Sequence, residues 1–131
     1  MLFSDGSPRF IMMALFYSGD RETLRLRIKR RKSLVIITGT ILARPESFEE
    51  LRTLSLEHVR RSRLEPGCLT HNVHIDVENP LRLVFVETWL DRAAVAAHFA
   101  LRESRYFVKA ASPLAAEPTA IQIYDVSPAA Q

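Results

Sequence analysis

The sequence predicts an α+β fold, a ferredoxin-like β-α-β-β-α-β subunit over residues 33–126, and three observations lead there. A β-branched run over residues 34–43 (Val35, Ile36, Ile37, Thr38, Thr40, Ile41) has the length and composition of a strand. The segment after it spaces its apolar residues by three and four, the period of a helix with one buried face. Beyond that, two strand-like runs flank Glu78-Asn79-Pro80, and a second helical segment leads to a final alternating strand. With 131 residues, the chain holds one core and no second full domain.

Residues 1–32 read as an extension, either a hairpin or a flexible leader, with Met12 or Met13 as alternative starts. Within it Leu24, Leu26 and Ile28 alternate with Arg25, Arg27 and Lys29, as in a half-buried strand. After the first strand, Ser47 and Glu50 fit a capping box, in which each side chain satisfies the other residue's free backbone N–H. Phe48, Leu51, Leu54, His58 and Val59 then share one helix face, and Pro66-Gly67 stops the helix. Leu69–Val77 and Leu83–Leu90 form the central hairpin about Asn79-Pro80. Asp91 caps a helix running to Arg102, with Val95, His98 and Phe99 inward, and residues 104–111 add a turn or two before Ser112-Pro113. In the strand 121–126, Ile121, Ile123 and Asp125 face one way and Gln122, Tyr124 and Val126 the other; residues 127–131 are a tail. Helices on one side of such a sheet leave the other side bare, and a bare apolar face favours a two-fold homodimer.

Composition narrows the function classes. The longest apolar run, Phe10 to Tyr17, is too short to span a bilayer, and the basic residues follow it rather than precede it, so the expectation is a cytoplasmic protein with no membrane partner. Net charge is +3, but residues 1–32 carry eight Lys/Arg against three Asp/Glu. That basic cluster lacks a stacking platform or recognition-helix pattern, so it reads as a solvated edge or tail and not as a nucleic-acid site. The single Cys68 excludes an internal disulfide. Four histidines are spread over two helices and the hairpin, where His71 and His74 should face opposite ways, without His-x-x-x-His or Cys-x-x-Cys spacing, so no metal is expected.

Glu65-Pro66-Gly67-Cys68-Leu69, His74, Asn79-Pro80, Phe85-Val86-Glu87-Thr88-Trp89, Asp91-Arg92-Ala93-Ala94 and Ala97-His98 occur in an order that resembles the antibiotic biosynthesis monooxygenase domain. The resemblance covers residues 33–126 and implies a dimeric α+β barrel with a cavity between sheet and helices. Its relatives include cofactor-independent oxygenases of anthrones and quinols, haem-degrading enzymes and an isomerase. Where the haem-degrading branch has Asn, Trp and His, this chain has Thr38, His98 and a residue near Val108, which argues against haem degradation. Many members carry a second helical His where Glu103 stands.

Hairpin pairing about Asn79-Pro80 predicts His74 opposite Phe85, Asn72 opposite Glu87 and Thr70 opposite Trp89, all on the pocket face; a bulge reverses that phase. Catalysis is assigned to His98 as general base and to Trp89, whose ring would stack on a planar substrate. Thr38, Asn72, His74, Phe85, Glu87, Phe99 and Phe107 are assigned to substrate binding. Glu87 is expected to pair with Asn72, His74, Arg82 or Arg105, while His58 and His71 are read as packing or surface groups. The expected function is cofactor-free oxidation of a small aromatic or quinol-like substrate by molecular oxygen in a homodimer. The alternatives are a non-oxidative isomerase using His98 and Glu87, or a ligand-binding module without catalysis.

Overall fold

The computed structural model describes residues 21–23, 26, 33–127 and 129. Its elements are β1 (Leu34–Leu42), α1 (Phe48–Ser62), β2 (Cys68–Asp76), β3 (Asn79–Trp89), α2 (Arg92–Ala100), α3 (Arg102–Ala111) and β4 (Ala120–Val126). The four strands form one antiparallel sheet in the order β2-β3-β1-β4, the predicted α+β ferredoxin-like arrangement. No helix among the described residues is long and apolar enough to cross a membrane.

Side chains alternate across each strand, so Val35, Ile37 and Ile41 of β1 share a face with Leu83, Phe85 and Trp89 of β3. The helices cover that face. Leu51 and Val59 of α1 and Ala111 of α3 pack against Ile41, Leu83 and Phe85, while Val95 of α2 packs against Val35, Ile37, Cys68 and Trp89. Full burial of a side chain such as Leu51 contributes roughly 1.5–3 kcal/mol, so these two clusters dominate the stability of the domain. The opposite face keeps Val86 and Tyr124 exposed.

The hairpin departs from expectation in a way that matters for the site. Asp76 pairs with Asn79, so Val77 and Glu78 form the turn and Asn79-Pro80 already belongs to β3. A bulge between Ile75 and Asp76 then shifts the phase by one residue, giving Val73 opposite Phe85, His74 opposite Val84, Asn72 opposite Val86 and His71 opposite Glu87. The predicted pairs His74–Phe85, Asn72–Glu87 and Thr70–Trp89 are therefore not formed; Cys68 faces Trp89 and Thr70 faces Thr88.

Other local expectations are refined. Ser47 does precede α1, but its side chain makes no cap hydrogen bond to the helix. Its hydroxyl instead accepts from the Arg44 backbone N–H and donates to the Leu114 carbonyl, tying the helix start to the segment after α3. Gly67, at φ 82°, turns the chain into β2 where an added Cβ would lie 2.6 Å from the Ala94 Cβ, so any larger residue is excluded on both counts. Asp91 caps α2 as predicted, accepting from the Ala94 N–H at 2.8 Å. That helix stops at Ala100 because Leu101 is extended, and α3 begins at once. In the N-terminal extension Leu26 is helical and exposed, so it is not part of the half-buried strand expected there. Residues 21–23 are likewise helical and exposed; Arg25, Arg27, Lys29, Arg30, Arg31 and Lys32 of the basic cluster, with Leu24 and Ile28, lie outside the described residues.

Candidate functional site

Three histidines from three elements converge between the sheet and the helices. His58 projects from the inner face of α1, His71 from the helix-covered face of β2, and His98 from the inner face of α2; all are buried. Their ring centroids lie 5.1 Å (His58–His71), 5.4 Å (His58–His98) and 5.7 Å (His71–His98) apart. One ring nitrogen from each lies within 4.8 Å of those of the other two. The Trp89 ring packs 4.7 Å from His98, and Phe107 stacks on His58 at 4.1 Å, nearly parallel.

Each imidazole has a different environment. His98 Nδ1 lies 2.8 Å from Glu65 Oε2 and 3.3 Å from Ser104 Oγ. A carboxylate accepts, so Nδ1–H is the donor in the tautomer this pattern assigns, and Nε2 keeps its lone pair. Arg61 braces the group, donating to Glu65 Oε1, to Ser104 Oγ and to His58 Nδ1. Burial, with His71, His98 and Arg61 nearby, pushes the His58 imidazole down to about 2. His71 is fully buried, and neither of its ring nitrogens has a hydrogen-bond partner. Its Nε2 lies 3.4 Å from Glu87 Oε1, close enough for an ion pair only if the ring were charged. Burial together with His98, Arg63 and Arg61 holds His71 down at about 3, so the neutral ring is the relevant form. An unmet buried polar group costs about 1–3 kcal/mol, which makes His71 an expensive residue to retain for packing alone.

Glu87 is also buried, and desolvation raises its carboxyl pKa against the opposing effects of a 2.7 Å hydrogen bond from Trp89 Nε1 and of His98. The expected partners were different ones: Asn72 accepts from Arg63, and Arg82 pairs with Asp76.

A cavity of about 440 Å³ opens beside this cluster, its wall including His58, Phe85, Glu87, His98, Phe99, Ser104, Arg105 and Phe107. Of the residues assigned from sequence, His98, Phe85, Glu87, Phe99 and Phe107 are thus brought together, with Phe99 41% exposed at the rim and not buried as expected. Trp89 is not on the cavity wall: it is fully buried and its N–H is engaged by Glu87, leaving no ring surface for a substrate. Thr38, Asn72 and His74 fall on the other face of the sheet, Thr38 opposite Val86 and Gln122, so none of them reaches the cavity. His58, His71, Glu65, Ser104 and Arg61 were not assigned to the site. Helical phase already put His58 inward, and Glu65 belongs to the turn motif quoted above; His71 needed the bulge to be known. A second cavity of about 350 Å³ lies between α1 and α3, and His58 and Phe107 border both.

Comparison with known proteins agrees with this architecture. Residues 34–110 match the family model described as "Antibiotic biosynthesis monooxygenase". An uncharacterised Synechocystis protein is 31% identical over 118 residues, spanning 90% of this chain and 80% of that protein. A crystal structure described as an antibiotic biosynthesis monooxygenase superposes with a TM-score of 0.67 at 26% identity, covering 72% of this chain and 99% of its own. A candidate member of the same kind from Deinococcus radiodurans gives a TM-score of 0.71 at 29% identity, covering 74% and 96%.

Proposed function

Because the chain belongs to the antibiotic biosynthesis monooxygenase family, we propose that it oxidises a small aromatic or quinol-like compound with molecular oxygen, using His98 as general base and no cofactor. The observation that carries this reading is the His98–Glu65 pair: a carboxylate fixes Nδ1–H and leaves Nε2 as a base at the wall of a cavity flanked by Phe85, Phe99 and Phe107. Such walls suit a planar ring. Abstraction of an acidic benzylic C–H proton by Nε2 would leave a delocalised anion and an imidazolium, which Glu65 stabilises. The anion passes one electron to oxygen, and the radical and superoxide combine into a C–O bond. The His98 proton passes to the outer peroxide oxygen, and loss of the second C–H proton with O–O cleavage then releases water, so that CH₂ and O₂ become C=O and H₂O. A second copy seated on the exposed sheet face, where Val86 and Tyr124 lie, would complete a homodimer.

One observation favours a second reading. Glu87, a buried carboxyl whose pKa desolvation raises, shares the cavity wall with His98, and an acid beside a base suits isomerisation by proton transfer.

Oxygen uptake by the pure protein against a panel of anthrones and hydroquinones separates these readings. Turnover should fall about 100-fold or more in His98→Ala, the usual contribution of a positioned base; equal rates would remove His98 from the chemistry. Turnover that persists without oxygen would favour isomerisation, and saturable binding without product would mark a ligand-binding module.

A further inference from the structure

We propose that His58, His71 and His98 bind one divalent transition-metal ion of the zinc type, with the remaining coordination positions turned toward the 440 Å³ cavity. Imidazole nitrogen is the preferred donor for such ions, and three of them with an open position is the arrangement of a reactive, not merely structural, site.

The argument starts from the way the rings are held. They arrive from α1, β2 and α2, and a single ring nitrogen from each already falls within 4.8 Å of the other two. Two nitrogens on one tetrahedral zinc are about 3.3 Å apart, so the widest pair must close by about 1.5 Å, within reach of side-chain rotation. His71 is shielded from solvent with both nitrogens unpartnered, a poor arrangement for packing and a suitable one for a ligand. His98 already carries the outer carboxylate that metal-binding histidines usually have: Glu65 holds Nδ1 and leaves Nε2 to coordinate. His58 is the ring that must change, because Arg61 donates to its Nδ1. The same guanidinium reaches Glu65 and Ser104, so it can release His58 without losing its partners. Glu87 Oε1 lies 3.4 Å from His71 Nε2, outside the three-nitrogen cluster, and the acidic groups of Glu65 and Glu87 stand near the Arg61 charge.

The site does not rest on the oxidation reading, and the two uses of His98 exclude each other at any instant. A metal on Nε2 occupies the lone pair that would take a substrate proton, so saturation with zinc should suppress base-dependent turnover.

The test is titration of the chelator-treated full chain with Zn²⁺ by calorimetry and with Co²⁺ by visible absorption. One ion per chain is expected, with the ligand-field bands of nitrogen-bound Co²⁺. His71→Ala should weaken binding by roughly tenfold or more, as loss of a ligand must exceed the effect of losing an outer partner. His74→Ala, on the other sheet face, should leave binding unchanged. Absence of saturable binding, or binding lost with His74 and kept without His71, overturns the proposal. Should His71→Ala fail to fold by circular dichroism, the wild-type Co²⁺ spectrum decides, since binding without nitrogen-ligand bands also overturns it. Binding without oxygen uptake on any substrate would sink the oxidation reading alone, and uptake without binding would sink the metal site alone.

Discussion

Glu65 and His98 meet at 2.8 Å although 33 residues separate them, one in the turn after α1 and the other on the inner face of α2. The contact joins two halves of the chain at the point where a base is proposed. It rests on the Gly67 turn, which brings the residues after α1 against Ala94.

Glu65→Gln should keep the shape and remove the charge that stabilises an imidazolium at His98. For a substrate identified by oxygen uptake, kcat is expected to fall by up to about 10⁴-fold with little change in KM, by analogy with the orienting carboxylate of hydrolytic triads. The ¹⁵N shifts of the His98 ring should move as its Nδ1 partner changes. A parallel loss in kcat and KM, or unaltered ring shifts, would mean that Glu65 does not position this base.

The buried imidazoles make stability depend on pH. His58 and His71 titrate at about 2 and about 3 in the folded chain and near 6.5 when unfolded. The unfolded state therefore binds more protons between those limits, and stability present above about pH 6.5 is lost as pH falls toward about 3. Each ring contributes a slope of roughly 1.4 kcal/mol per pH unit inside its window. Glu87 acts in the opposite sense just above 4.5, because its raised carboxyl pKa favours the folded state while it is protonated. Denaturant titrations from pH 4 to 7 should show the wild-type slope reduced by about one proton in His71→Leu. An unchanged slope would show that His71 does not stay neutral in the folded protein.

Trp89 is the only tryptophan and is fully buried. Its emission should be blue-shifted and poorly quenched by acrylamide, and addition of a cavity ligand should alter it less than a stacking role requires. Trp89→Phe removes the donor to Glu87 Oε2 and is expected to cost about 1–3 kcal/mol of stability by denaturant titration. A large rise in KM with unchanged stability would instead return Trp89 to the substrate.

Much of this was legible in the chain because it is written in local periodicity. Strand β1 follows from its β-branched run, α1 from apolar spacing, the start of α2 from Asp91, and the inward phase of His98 from its place beyond Val95. The side-chain phase of β4 also survives, with Ile123 packed into the core. The hairpin failed at one residue: a two-residue turn at Val77 and Glu78 with a bulge at Ile75 moved His74 and Asn72 away from the cavity and brought His71 in. A period of two makes any single-residue slip reverse every side chain, and the turn residues alone do not fix that phase.

By itself the sequence determined the order of elements, their amphipathic faces and the family they belong to, since these depend on residues near one another along the chain. Only the tertiary structure decided that His58, His71 and His98 share one buried space, that Glu65 holds His98, and that Trp89 engages Glu87 instead of the cavity. Those relationships depend on register and on helix-to-sheet packing, where a displacement of one residue or a few ångströms separates a ligand cluster from scattered side chains.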